Sequence, residues 1–121
     1  SARVIGVEPE GAASMRKALD EERPVVIKEI DTIADGLAPV IAGELTYEHA
    51  VSLMDDVVTV SDDAIQEATS LLVSKQKLIV EFSGAAATAA LLSKAVEAED
   101  ARVAVVISGG NLDPTLVAGM A

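Results

Sequence analysis

Short apolar runs alternate with longer amphipathic stretches along this chain. The segments Arg3–Val7 and Val57–Val60 are continuous and rich in β-branched residues, and Val103–Ile107 repeats the pattern near the end. Uninterrupted runs of this kind are typical of parallel strands that are buried on both faces. We therefore expect three strands here, whereas Pro24–Lys28 fits either a short strand or an extended loop.

The stretches between these runs have helical periodicity and helix-capping residues. Thr46 and Ser61 are candidate N-caps, because a hydroxyl at this position accepts a hydrogen bond from a free backbone amide. The predicted helices cover residues 11–19, 46–55, 62–77 and 81–96, and residues 31–43 are expected to form a loop with one helical turn. Alternating strands and helices indicate a parallel sheet with right-handed crossovers. We expect a single α/β domain over residues 1–121, three-layered around a small parallel sheet.

The composition excludes several classes of function. The net charge of −11 disfavours nucleic acid and anionic membrane surfaces as partners, because phosphate groups require Lys and Arg. No apolar stretch reaches the eighteen or so residues of a membrane span. The chain has no cysteine, which excludes disulfides, thiolate catalysis and zinc–thiolate sites and is compatible with a cytoplasmic protein.

Common catalytic and nucleotide-binding motifs are also missing. The one histidine, His49, follows Glu48 on a predicted helix and has no obvious catalytic partner. The turn after the first strand, residues 8–13, is not a Gly-x-Gly-x-x-Gly loop, and no Walker loop is present. Dinucleotide- and nucleoside-triphosphate-dependent enzymes are therefore disfavoured.

The predicted third strand ends at Ser108-Gly109-Gly110-Asn111. Ligands of open α/β sheets bind beyond the carboxyl ends of strands, and glycines there allow the backbone to approach a ligand closely. The same residues are also typical of an ordinary turn. The sequence thus indicates a place for a binding site without defining its ligand.

Four segments taken together point to a known family. In chain order they are Val4–Pro9, Thr32–Ala38, Val80–Ala86 and Ser108–Asn111, with Asp55–Ser61 between the second and the third. Their order and spacing resemble the pyridoxal-phosphate-dependent serine/threonine dehydratases, which include threonine ammonia-lyase and serine racemase. The resemblance extends from residue 3 to about residue 116. It implies part of the large domain of the tryptophan synthase beta-like fold.

The resemblance also implies a cofactor site for pyridoxal 5'-phosphate. Ser108 matches the serine that hydrogen-bonds the pyridine nitrogen, and Gly109 and Asn111 belong to the same motif. Gly36 matches a position where backbone lies beside the ring, and Glu81 matches a carboxylate near the cofactor. A neutral hydroxyl does not hold a proton on the ring nitrogen as an aspartate would, which favours elimination of a β-hydroxyl group.

Some members of this family bind a divalent cation close to the first strand. Glu8 matches one carboxylate ligand, and the carbonyl of Ala12 matches a second ligand. Ser14 stands where the metal-binding members have an acid. Hard cations prefer several charged oxygen ligands, so this substitution weakens the expected site.

Two essential parts of the family's active site do not match this chain. None of the five lysines lies in the segment that carries the Schiff-base lysine, and the glycine-rich loop that holds the cofactor phosphate is also absent. The chain therefore resembles only the C-terminal portion of the large domain, from a processed or truncated protein. We expect it to be inactive alone, because both covalent catalysis and the phosphate anchor are lost.

The complete enzyme would convert a small hydroxy amino acid to a 2-oxo acid and ammonia. Open sheet edges favour pairing with another chain, so we expect a homo-oligomer or pairing with the missing half. A non-catalytic module that binds a small ligand or assists assembly is the alternative. An unrelated flavodoxin-like binding domain is a third hypothesis, and it would not account for the four segments.

Overall fold

The sheet of this protein consists of two parallel strands. The computed structural model describes residues 1–120. Strand β1 spans Ile5–Pro9 and strand β2 spans Asp56–Val60, in a register that pairs Ile5 with Asp56 and Pro9 with Val60. Both strands were predicted from their β-branched runs, and β1 includes the Glu8-Pro9 step at which the sequence indicated an end.

Helices occupy the intervals between and after the strands. Their bounds are Ser14–Asp20 for α1, Glu44–Leu53 for α2, Asp62–Ser74 for α3, Phe82–Leu92 for α4 and Pro114–Ala118 for α5. Short 3-10 turns cover Glu10–Ala12 and Asp35–Leu37. The second of these turns is the single helical turn expected in the loop over residues 31–43, whereas α5 was not predicted. No described helix is both long enough and apolar enough to span a bilayer.

One of the two predicted helix caps is confirmed and the other is wrong. The Ser61 hydroxyl oxygen accepts a hydrogen bond from the Ala64 amide at 3.2 Å and caps α3. Helix α2 instead begins after Gly43, so Thr46 lies inside its first turn. At the other end of the chain, α4 stops at Leu92 rather than Val96, because Lys94 adopts a positive φ of 60° that a continuing helix does not accommodate.

The main core lies between α3 and α4. Ile65, Ala68 and Leu72 of α3 are buried against a set of small residues on α4, namely Ala85, Ala86, Ala89 and Ala90. Alanine side chains allow the two helices to approach closely, and β2 contributes Val60 to the same cluster. This packing fixes the start of α4, which carries Glu81 as its N-cap.

The prediction of a third strand over Val103–Ile107 is wrong for this chain. The segment leads into Ser108 in an irregular conformation, and the described sheet contains β1 and β2 alone. A strand exists only where a neighbouring backbone supplies ladder hydrogen bonds, and none of the amides in this segment donates to either strand. Residues 24–28 likewise form an extended loop, held by the Ile27 amide that donates to the Val40 carbonyl at 2.8 Å.

The overall class nevertheless agrees with the sequence. A small parallel sheet with helices between its strands is the predicted α/β arrangement. The assignment of residues 1–121 to a single domain stays a prediction.

Candidate functional site

Glu81 joins the start of α4 to the segment that follows Ser108. Its backbone amide donates to the Gly109 carbonyl at 3.2 Å, and its carboxylate accepts from the Asn111 amide at 3.1 Å. An acid at an N-cap normally accepts from the first amides of its own helix, but the Glu81 side chain forms no such bond. The carboxylate is thus directed at the Gly109–Asn111 loop.

Gly109 is suited to this contact by its backbone conformation. Its φ of 78° lies in the left-handed region, which side chains disfavour. A Cβ atom on Gly109 would also overlap the Glu81 carboxylate. The close approach of these two residues therefore requires glycine at position 109.

Gly36 is brought to the same place by a separate loop. Its amide donates to the Ser83 hydroxyl oxygen at 2.9 Å, and the Asp35 carboxylate lies at the same distance from that amide. Because Ser83 is two residues after Glu81, the start of α4 contacts both the Gly36 turn and the Gly109–Asn111 loop.

A second carboxylate holds the loop that precedes Gly36. Asp62 accepts from the Thr32 hydroxyl at 2.6 Å and from the Ile33 amide at 2.9 Å. Asp62 is the first residue of α3, where the helix dipole favours an anion. The loop position is thereby fixed relative to the α3–α4 core.

Ser108 lies directly against the first turn of α4. A Cβ atom on Gly84 would overlap the carbonyl oxygen of Ser108, so the backbones touch at this point. Gly84 is buried, while Ser108 itself is exposed. Ser108 is therefore an exposed residue whose backbone lies against the start of α4.

The structure brings together the five residues expected to bind the cofactor. Gly36, Glu81, Gly109 and Asn111 are linked by the contacts above, and Ser108 adjoins them in the chain. We term Gly36, Glu81, Ser83 and Ser108–Asn111 the α4 cluster. Ser83 and Gly84 belong to the segment Val80–Ala86, and the sequence predicted no role for either of them. A signal was present in the sequence, since a hydroxyl and a glycine lie in the first turn of the helix predicted over residues 81–96.

The predicted cation ligands occupy a different region. Both carboxylate oxygens of Glu8 accept backbone hydrogen bonds at 2.8 Å, one from Met15 and one from Arg16. These amides belong to the first turn of α1, so Glu8 acts as its anionic cap. Ala12 is buried just before this turn, and Ser14, which is also buried, is its first residue. Residues 1–120 contain no group of three His, Cys, Asp or Glu side chains placed to hold a metal ion. The cation site stays a prediction.

Comparison with known proteins decides the family. The sequence model described as pyridoxal-phosphate dependent enzyme matches residues 1–109. This chain belongs to that family. The L-threonine ammonia-lyase of Thermotoga maritima is 36% identical to it over 115 residues, which cover 95% of this chain and 28% of the relative.

Solved structures agree with this assignment. Maize serine racemase superposes with a TM-score of 0.86 at 35% identity, and the match covers 98% of this chain and 39% of the racemase. The processed threonine deaminase isoform 2 of Solanum lycopersicum gives a TM-score of 0.85 at 32% identity, covering 98% of this chain and 35% of the deaminase. The chain thus has the tryptophan synthase beta-like fold of these enzymes and spans little more than a third of their length.

The α4 cluster fits one end of pyridoxal phosphate. The exposed Ser108 hydroxyl can share a hydrogen bond with a ring nitrogen, and the Gly36 backbone carries no side chain that would obstruct a flat ring. The cluster contains no Lys or Arg, and its ionisable member is the acid Glu81. These residues therefore suit the neutral ring, and they supply no cation for the phosphate.

Proposed function

We propose that this chain forms the pyridine-binding wall of a pyridoxal-phosphate-dependent dehydratase that deaminates a small hydroxy amino acid, threonine or serine. The observation that carries the proposal is the convergence of Gly36, Glu81 and Ser108–Asn111 on the start of α4. These segments are far apart in sequence. Because they meet at one helix start, they create a surface that suits a neutral pyridine ring. The relatives named threonine ammonia-lyase and threonine deaminase support this choice of substrate class.

Four residues of the α4 cluster have a defined part in this proposal. Ser108 hydrogen-bonds the ring nitrogen and, being neutral, does not hold a proton there. Glu81 acts on the cofactor indirectly, as a positioning residue. Its carboxylate and amide fix the backbone on either side of Gly110. Ser83 fixes the Gly36 turn, whose backbone would lie beside the ring. When bound, the cofactor supplies the electron sink for elimination.

The isolated chain is proposed to be inactive. All five lysines, Lys17, Lys28, Lys75, Lys77 and Lys94, are exposed. A lysine that reacts with an aldehyde at neutral pH is normally desolvated or beside another cation, which lowers its pKa. Activity would therefore depend on pairing with the remainder of a dehydratase, and the unpaired edges of the two-stranded sheet support such pairing.

A chimera tests the reaction. The 115 matched residues of the Thermotoga maritima ammonia-lyase are replaced by this chain, and 2-oxobutyrate formation from threonine is measured. We expect an active chimera in which Ser108→Ala lowers kcat about tenfold, which corresponds to the loss of one hydrogen bond of about 1.4 kcal/mol. Ser93→Ala, an exposed serine at the end of α4, is the matched control and should retain full activity.

A second measurement tests the inactivity of the chain alone. The chain is incubated with pyridoxal phosphate and reduced with borohydride, and the product is analysed by mass spectrometry. We expect no stoichiometric, site-specific adduct and no 2-oxo acid. A specific adduct with turnover, or a chimera indifferent to Ser108→Ala, would contradict the proposal.

A further inference from the structure

Residues 31–36, which we term the 31–36 segment, are fastened at both ends by hydrogen bonds of their backbone amides. The Asp31 amide donates to the Gly11 carbonyl at 3.0 Å. The Gly36 amide donates to the Ser83 hydroxyl oxygen at 2.9 Å. The middle of the segment, which sets the course of the backbone into the Gly36 turn, depends on a different group.

That group is the Asp62 carboxylate, which uses both of its oxygens on the middle of the segment. Its Oδ1 accepts from the Thr32 hydroxyl at 2.6 Å, and its Oδ2 accepts from the Ile33 amide at 2.9 Å. The Thr32 hydroxyl oxygen in turn accepts from the Ala34 amide at 3.1 Å. One carboxylate thus holds three consecutive residues, directly or through a hydroxyl.

The negative charge of Asp62 decides the direction of these hydrogen bonds. An ionised carboxylate can only accept, so the Thr32 hydroxyl gives its single proton to Asp62. Its lone pairs are then free for the amide of Ala34, a residue with no exposed surface. Because a buried amide without an acceptor is strongly disfavoured, the backbone conformation at Ala34 depends on Asp62.

Apolar packing contributes little to the position of the 31–36 segment. Within it, Ala34 alone is buried, and it adds one methyl group to the core cluster. Ile33, Asp35 and Gly36 are exposed. Polar contacts therefore define where the backbone of the Gly36 turn lies.

We propose that Asp62 is a positioning residue for the cofactor and acts through Thr32. It holds the Gly36 turn in the place where the α4 cluster receives the pyridine ring. Asp62 comes two residues after the end of β2, so its carboxylate ties this turn to the sheet. The inference rests on the proposed function and deepens it, because it assigns the residue that sets the cofactor affinity on the Gly36 side of the site.

Hydrogen exchange in the chain alone tests the link. In Asp62→Ala, we expect the Ile33 and Ala34 amides to exchange at least about tenfold faster, because their direct or relayed acceptor is lost. Asp63→Ala is the matched control and should leave both rates within about twofold. It removes the neighbouring acid from the same helix turn with the same change in net charge, but Asp63 is exposed and takes part in none of the hydrogen bonds above.

Cofactor binding tests the positioning role. The chimera with the Thermotoga maritima ammonia-lyase is stripped of pyridoxal phosphate, and the Kd for added pyridoxal phosphate is measured from its absorbance without any amino acid. We expect Asp62→Ala to raise this Kd at least about fivefold, because binding must then order the Gly36 turn. Asp63→Ala should leave the Kd within about twofold. The measurement is of binding and does not depend on turnover.

A second pair of variants isolates the hydroxyl. Thr32→Val keeps the shape of the side chain and removes the donor to Asp62, whereas Thr32→Ser keeps the hydroxyl. We expect Thr32→Val to speed exchange of the Ala34 amide and to raise the Kd as Asp62→Ala does, and Thr32→Ser to stay within about threefold of the unmodified protein. Helix α3 and its Ser61 cap are unchanged in both variants, so the result is independent of the stability of this helix.

Two results would overturn the proposal. The first is equal exchange of the Ile33 and Ala34 amides in Asp62→Ala and Asp63→Ala. The second is faster exchange in Asp62→Ala with an unchanged Kd for pyridoxal phosphate, which would assign Asp62 to stability alone. Failure of the proposed function is recognised separately, because it would make the kcat of the chimera indifferent to Ser108→Ala.

Discussion

The Glu81 carboxylate accepts a hydrogen bond from the backbone amide of Asn111 at 3.1 Å, across thirty residues of sequence. Together with the bond from the Glu81 amide to the Gly109 carbonyl, it fastens both sides of Gly110 to the start of α4. The exposed Ser108 hydroxyl therefore belongs to a loop that is held by a charged hydrogen bond rather than by apolar burial.

Removal of this carboxylate should release the loop. We expect Glu81→Ala to lower the free energy of unfolding by about 1 kcal/mol and to speed hydrogen exchange at the Asn111 amide, because its acceptor is lost. Glu81→Gln retains one acceptor oxygen and should have a smaller effect. Glu67→Ala, an exposed acid on α3, is the control and should change stability by less than about 0.5 kcal/mol. Unchanged exchange at Asn111 in Glu81→Ala would refute the role given to Glu81.

The contact between Gly84 and the Ser108 backbone predicts a steric effect. In Gly84→Ala the new methyl group would overlap the Ser108 carbonyl oxygen, so helix and loop must separate. We expect a loss of about 1–3 kcal/mol by chemical denaturation, although alanine is the better helix former. Gly110→Ala is the matched control, because its Cβ would lie 3.7 Å from the nearest such atom, the Ile79 carbonyl oxygen. Equal stability of the two variants would show that the close approach is absent.

The two candidate helix caps predict opposite outcomes. Ser61→Ala should cost about 1 kcal/mol, because the hydroxyl that accepts from the Ala64 amide is removed. Thr46→Ala should cost almost nothing, since Thr46 lies inside α2 and alanine favours a helix. Thermal unfolding of the two variants under identical conditions measures the difference. A larger loss in Thr46→Ala would reverse the assignment of the caps.

Glu8 is predicted to stabilise α1 through its two amide hydrogen bonds. We expect Glu8→Ala to lower the free energy of unfolding by about 2 kcal/mol in the presence of EDTA, because both acceptors of the Met15 and Arg16 amides are lost. The neighbouring acid Glu10 is exposed, and Glu10→Ala should be nearly neutral. A loss seen only when a divalent cation is present would instead assign Glu8 to the predicted cation site.

The short helix α5 has a pH-dependent cap. The Asp113 carboxylate accepts from the Thr115 hydroxyl and the Thr115 amide, and these bonds lower the pKa of Asp113 below its ordinary value of 3.8. A depressed carboxyl pKa stabilises the folded form above the unfolded pKa, and this contribution is lost as the pH falls through the folded pKa. We expect the Thr115 amide shift in NMR to stay constant down to about pH 4 and to change below it. Asp113→Asn should abolish this titration.

The sequence predicted the fold where local signals and tertiary contacts agree. The β-branched runs of β1 and β2 were recognised because the same pairing that buries them is present in this chain. The Ser61 cap was recognised because a capping bond depends on residues three positions apart. The prediction of a strand over Val103–Ile107 was wrong for the opposite reason. A strand needs a partner, and the described sheet supplies none for this segment.

By itself, the sequence determined the family and the α/β class, and it singled out five of the residues that meet in the α4 cluster, namely Gly36, Glu81, Ser108, Gly109 and Asn111. These follow from residue order and spacing. Glycine, for example, is needed at positions 36 and 109 because neighbouring groups lie too close for a side chain. Only the tertiary structure decided that Glu81 holds the Asn111 amide, that Ser83 holds the Gly36 turn and that Glu8 caps α1. Each of these is a contact between segments distant in sequence or a choice among several polar partners. Such a choice depends on where packing of α3 against α4 places the backbone, and no local pattern encodes it.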